Sequence, residues 1–222
     1  MELINKVQTT ILQSFGRVVD SDQFYLTGGT ALSYFYLHHR KSNDLDFFTS
    51  VEEIVAPFSR RLEEKLKKQG ISVTRQRGIR SFVELWVKQE ETATLIHLAQ
   101  DAAFRFEATR EFPGYPGLKV DSLADLASNK LLALFGRATL RDFVDVYFIV
   151  RKAGFGREDL MEKAGRKDPG FDLYWLGVAF ERIKTFGEHS PEMLLLTEPV
   201  RFQELLDFFE EWQEAIAQKL KP

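Results

Sequence analysis

Two carboxylates set two residues apart, on a strand that follows a double-glycine turn, constrain this chain more than any other feature. Phe24-Tyr25-Leu26-Thr27-Gly28-Gly29-Thr30-Ala31-Leu32 reads as a short apolar strand, a turn and the start of an amphipathic helix. Asn43-Asp44-Leu45-Asp46-Phe47-Phe48 then reads as a second strand. Strand side chains alternate between faces, so Asp44 and Asp46 project together while Leu45 and Phe47 project the other way. Two acids on one side of an apolar strand repel each other, and a cation between them relieves the repulsion. Gly28 and Gly29 leave backbone N–H groups able to face an anion at a helix start. Phosphates at the glycines and a divalent metal at the acids are the chemistry this pattern suits.

Composition narrows the class. The 222 residues carry 44% hydrophobic and 28% charged side chains, the balance of a globular protein with a real core. No apolar run approaches the roughly 20 residues of a membrane span, and Met1-Glu2-Leu3-Ile4-Asn5-Lys6 lacks a signal-peptide pattern. No membrane partner is therefore expected. The chain has no cysteine, which excludes disulfides and thiolate metal sites and fits a cytoplasmic protein. A net charge of −3 argues against a generic electrostatic grip on nucleic acid. The basic run Lys65, Lys67, Lys68, Arg75, Arg77, Arg80 reads first as solvated surface.

Along the chain, apolar spacing predicts a helix from Leu3 to Phe15 and another from Ala31 to His39, with Thr30 as N-cap or phosphate contact. A third helix spans Ile54 to Lys68. Ile71–Arg75, Ser81–Val87 and Thr92–Ala99 read as an antiparallel meander, with Phe104–Thr109 as a further strand or edge. Pro113-Gly114-Tyr115-Pro116-Gly117 breaks the pattern, so the boundary is placed there: an α/β core over residues 1–118 and a helical subdomain over 119–222. Helices are expected over Leu123–Phe135, from Gly136 to Val150, and near Glu158–Ala164, Leu173–Lys184 and Pro199–Leu220. The fold class is α+β, a mixed, largely antiparallel sheet with flanking helices and a helical C-terminal part.

Gly28-Gly29-Thr30-Ala31-Leu32, Arg40, Ser42 and Asp44-Leu45-Asp46-Phe47-Phe48, in that order, resemble the AbiEii/AbiGii toxin family of nucleotidyltransferases, a branch of the DNA polymerase beta-type superfamily. The resemblance continues through Asn129-Lys130-Leu131-Leu132-Ala133-Leu134, Arg137 and Arg141-Asp142-Phe143-Val144-Asp145. It implies a metal-dependent transfer of a nucleoside monophosphate from an NTP, with Mg2+ or Mn2+, to a tRNA or protein acceptor. It also implies a cognate antitoxin, the chain being the toxin of a bacterial toxin–antitoxin or phage-defence pair.

The resemblance implies site residues too. Asp44 and Asp46 would hold the metal; Gly28, Gly29, Thr30, Arg40, Ser42 and Lys130 would contact the nucleotide; Asp44, Asp46, His97, Lys130 and Asp142 would form the catalytic set. Against this, Arg40 can simply keep a loop wet, and Lys130 or Arg141 can bridge Asp142 or Asp145 between helices. The superfamily's third acid is expected within Thr94–Ala99, where this chain has His97. An imidazole can accept a proton or ligate a metal but lacks a carboxylate's charge. A catalytically impaired nucleotide- or partner-binding homologue is therefore the alternative function. Glu84 offers a substitute acid: if Val87 pairs with Thr92, Glu84 lies opposite Leu95 on the face of His97, and a one-residue slip would turn it away.

Overall fold

The computed structural model describes residues 2–221, which form two compact units. One runs to Tyr36 and again from Lys41 to Leu123; the other takes Leu37–Arg40 and the chain from Ala124 on. The sequence reading divides the chain at 118, whereas the contacts divide it at Leu123 and hand four residues of the first half to the second unit.

The first unit is a five-stranded sheet with helices on one face. Its elements are α1 (Lys6–Phe15), β1 (Tyr25–Thr27), α2 (Gly28–Leu32), β2 (Asp44–Thr49), α3 (Val55–Lys68), β3 (Ser72–Ile79), β4 (Phe82–Gln89) and β5 (Thr92–Gln100). The strand order is β1-β2-β5-β4-β3, parallel between β2 and β5 and antiparallel elsewhere. Burial alternates along β2, β4 and β5, so one face is sealed and the other open. On the sealed side Phe47 stacks on Phe15 of α1 at 3.8 Å, and Phe15 and Phe58 of α3 meet at 5.4 Å. Each such fully buried ring contributes about 1.5–3 kcal/mol. Asn5 caps α1 in a reciprocal bond pair with Gln8.

Several local expectations change. The helix after the glycines is short: α2 ends at Leu32 and widens into a π-type turn, Ser33–Leu37, before His38 turns the chain with φ +54. Its N-cap position falls on Thr27 rather than Thr30, because Gly28 is already helical in hydrogen bonding. Residues 104–109 form no strand; an isolated bridge follows at Arg110, which pairs with Val120.

The second unit is helical: α4 (Leu123–Arg137), α5 (Leu140–Lys152), α6 (Arg157–Lys167), α7 (Leu173–Phe180) and α8 (Phe202–Lys219). The expected helix to Lys184 stops at Phe180 and tightens into a 3-10 turn, Glu181–Thr185. Phe143, Phe180, Phe209 and Trp212 are packed edge-on or tilted in its core. Among the described residues no helix is long and apolar enough to cross a membrane.

Candidate active site

The turn after β1 is shaped by the acid it faces. Gly28 has φ +72, and a Cβ placed on it would lie 2.2 Å from Oδ2 of Asp46. Only glycine meets both conditions. Thr30 donates its hydroxyl to the backbone carbonyl of Asp44, fixing the start of β2 against α2. Ser42 is held by its backbone: its carbonyl accepts from Nε2 of Gln8 at 3.0 Å. Thr27 donates to Oδ2 of buried Asp121 at 2.8 Å, and Asp121 also pairs with Arg105, whose guanidinium lies 3.8 Å above the Tyr25 ring. Burial raises the Tyr25 phenol, with the Asp101 charge adding to it.

Register aligns one row of side chains across the open face. Thr27 pairs with Asp46, Asp46 with His97, His97 with Glu84, and Glu84 with Arg77. Directly paired residues share a face, so these five form a line from β1 to β3. His97 sits between two acids: Nδ1 is 2.8 Å from Oδ1 of Asp46 and Nε2 is 3.3 Å from Oε2 of Glu84. Its pKa is raised, first by the bond to Asp46; burial opposes, and the charges of Asp46, Asp44 and Glu84 add to the rise. Glu84 is opposite His97 itself, two residues from the pairing expected with Leu95, because the β4–β5 hairpin closes between Gln89 and Thr92. The shift of two preserves the face.

The second unit carries the other candidate residues around Asp145, which is fully buried. Arg40 grips it bidentately, Nε to Oδ1 at 2.6 Å and a terminal nitrogen to Oδ2 at 2.9 Å. Lys130 reaches Oδ2 at 2.7 Å and His39 Nε2 lies 2.8 Å from Oδ1. Burial alone would raise the Asp145 pKa, but Arg40 and Lys130 outweigh it and hold the acid well below the usual range. Burial lowers the His39 pKa, against the opposing bond and charge of Asp145. Its Nδ1 is buried without a partner, so the ring proton sits on Nε2 and is donated to Asp145. Asp142 is also fully buried and opens α5: it accepts from the Thr139 hydroxyl at 2.6 Å and from Arg137 at 2.8 and 2.9 Å. Its own burial pushes the pKa up, and those bonds with the Lys130 charge bring it below normal.

Asp44 and Asp46 fit a magnesium-like ion. They are half-exposed hard-oxygen donors on one face, and magnesium is commonly held by one or two carboxylates with substrate phosphates and water completing the shell. Among the described residues there is no group of three or more acid, histidine or cysteine ligands gathered around a point, so protein oxygens alone do not complete such a shell.

Sequence reasoning passed over His39 and Asp121. His39 stands beside Arg40, and at that spacing nothing marks it as a buried partner of a residue more than a hundred positions away. The bonds of Asp121 to Thr27 and Arg105 depend on a loop path that carries no periodic signal.

Comparison with known proteins follows the same lines. The family model described as Nucleotidyl transferase AbiEii toxin, Type IV TA system, matches residues 10–222. An uncharacterized protein of Aquifex aeolicus (strain VF5) is 27% identical over 232 residues, spanning 100% of this chain and 98% of its own. A candidate nucleotidyltransferase from H. pylori has a similar crystal structure, with TM-score 0.63 and 19% identity over 97% of this chain and 93% of its own. JHP933 from Helicobacter pylori gives TM-score 0.58 and 17% identity, with 97% and 90% covered. At those identities the two crystal structures speak to the fold alone.

Proposed function

Since the chain belongs to the AbiEii nucleotidyl transferase toxin family of Type IV toxin–antitoxin systems, we propose that it moves a nucleoside monophosphate from an NTP to a hydroxyl of an RNA, tRNA foremost, or of a protein. Mg2+ or Mn2+ would serve as cofactor, a cognate antitoxin would restrain the activity, and the cytoplasm, where these substrates reside, would be its location. The observation that carries this reading is the open sheet face on which Asp44 and Asp46 stand beside Gly28, with His97 and Glu84 continuing the row.

The acceptor oxygen would attack the α-phosphorus as the bond to the bridging oxygen of the β-phosphate breaks. Pyrophosphate leaves with that electron pair, and the hydroxyl proton passes to a carboxylate of the row. Asp44 and Asp46 would hold the ion, whose charge offsets that of the phosphates. Gly28 and Gly29 are assigned to the phosphates through their backbone, Ser42 to the same task, and Thr30 to holding Asp44 in place. Arg40 and Lys130, both held on Asp145, are assigned to the phosphates as well. Asp142 sets the first turn of the helix that carries Asp145.

One observation favours a second reading, a nucleotide-binding homologue without turnover. His97 occupies one oxygen of Asp46 and brings no carboxylate of its own to the row. The test is transfer from each α-labelled NTP, with Mg2+ or Mn2+, to a tRNA pool and to protein. Label transfer lost in a folded Asp44→Asn variant supports the enzyme. NTP binding without transfer to either acceptor supports the second reading.

A further inference from the structure

The open face continues past His97 along β4 and β3, to side chains that the chemistry above does not use. Trp86 pairs with Leu95, which pairs with Asp44, so Trp86 stands in the row of the first acid, two strand spacings or about 10 Å away. It lies on an interior strand of the sheet, yet is 41% exposed. Phe82, on the same face of the same strand, lies against the His97 ring at 5.8 Å and 28°. Cations stand beside these rings. Lys88 is the next residue of β4 on this face and is exposed; Arg77 on β3 is largely exposed, 3.8 Å from Glu84. An exposed ring on a sheet face, with Lys88 two residues along its strand and Arg77 diagonally across on β3, suits an unpaired base and its flanking phosphates better than it suits a peptide.

Direction comes from the strand order, and here the inference rests on the transfer reading. The glycine turn lies at the β1 side of β2, and Trp86 lies on the other side, beyond β5. In an in-line displacement the attacking oxygen enters opposite the leaving pyrophosphate. With phosphates at the glycines, the acceptor enters over β5 and β4. We propose that this half of the face is the acceptor subsite, and that it takes the unpaired end of a single-stranded nucleic acid, with a base stacked on Trp86 and phosphates near Lys88 and Arg77.

Binding can be read apart from turnover. The chain has three tryptophans, of which Trp212 is buried and Trp175 is exposed. In a Trp175→Phe background, a short single-stranded RNA, without NTP or metal, should quench the Trp86 fluorescence. Direct binding of the same RNA should weaken about 5- to 150-fold in Trp86→Ala, the range for one lost stacked base. Trp86→Phe should stay within a few-fold of the parent, and Lys88→Glu should weaken binding and flatten its salt dependence. Equal binding of a blunt duplex, unchanged affinity in both Trp86→Ala and Lys88→Glu, or a polypeptide acceptor that alone quenches Trp86 would each overturn the subsite. Failure of transfer with Trp86-dependent RNA binding intact would sink the enzyme reading and leave the subsite standing. Transfer to RNA with an unaltered acceptor KM in Trp86→Ala would do the reverse.

Discussion

Gly28 and Glu84 are the single residues on which the first unit's chemistry can be tested most sharply. In Gly28→Ala, a left-handed backbone costs about 1–2 kcal/mol for a residue with a Cβ, and the new methyl meets the Asp46 carboxylate. Urea unfolding should register that loss, and nucleotidyl transfer should vanish; a variant as active as the parent would detach Gly28 from the site. Glu84→Gln keeps the shape but removes the charge facing His97. Its kcat should fall about 100-fold, the scale of one acid–base group, with KM for NTP unchanged, and an unaltered kcat would remove Glu84 from the row. These two residues also mark how far the sequence could be read. The common face of Asp44 and Asp46 follows from the two-residue period of a strand and is what the structure has. The contact of Glu84 with His97 hangs on whether the hairpin turn holds two residues or four, and Glu90-Glu91 carries no Asn-Gly or Gly signal to decide it.

At the scale of elements, α4 and α5 are tied through two buried carboxylates, Asp142 to Arg137 and Asp145 to Lys130. Asp145→Asn leaves two buried cations against a neutral amide, which should cost about 3–5 kcal/mol in denaturant unfolding; a loss under about 1 kcal/mol would mean that the cluster does not anchor these helices. The pH dependence has a definite sign. Asp145 has a depressed folded pKa, so its contribution is intact above about pH 4 and is lost as pH falls further. His39 is also depressed, so the unfolded chain takes up a proton first, and stability declines as pH drops below about 6.5. His97 is raised and acts in the opposite sense, its contribution lost as pH rises through its folded value. Subtracting the His39→Gln profile from the parent's isolates the His39 effect, with a slope of up to about 1.4 kcal/mol per pH unit between pH 6.5 and 5; a zero difference would show that folding leaves the His39 pKa unshifted, and a slope of opposite sign that folding raises it. The helices themselves were legible, since α1, α3 and α8 keep an apolar stripe at helical spacing. The early end of α2 was not, because Ser33-Tyr34-Phe35-Tyr36-Leu37 has the same apolar density whether it coils with four- or five-residue hydrogen bonds.

For the whole molecule, the family and the α+β architecture could be read from the order of a few motifs, whereas the grouping of Leu37–Arg40 with the second unit could not. A Pro-Gly-rich break marks a loop in sequence, but a compact unit is defined by contacts, and Leu37–Arg40 make theirs with residues that follow position 123. Lys152 donates to the Leu37 carbonyl at 2.9 Å, and Thr197 bonds the carbonyls of His38 and His39. The chain therefore passes from one unit to the other three times rather than once. This has a consequence for the growing polypeptide. Arg40 leaves the ribosome 105 residues ahead of Asp145. At about 5–20 residues per second, its guanidinium waits roughly 5–20 s for its partner. Through that interval the first unit exists with an unfinished excursion, and a nascent chain halted near residue 123 would carry Leu37–Arg40 exposed, open to any binder that arrives before the helices do.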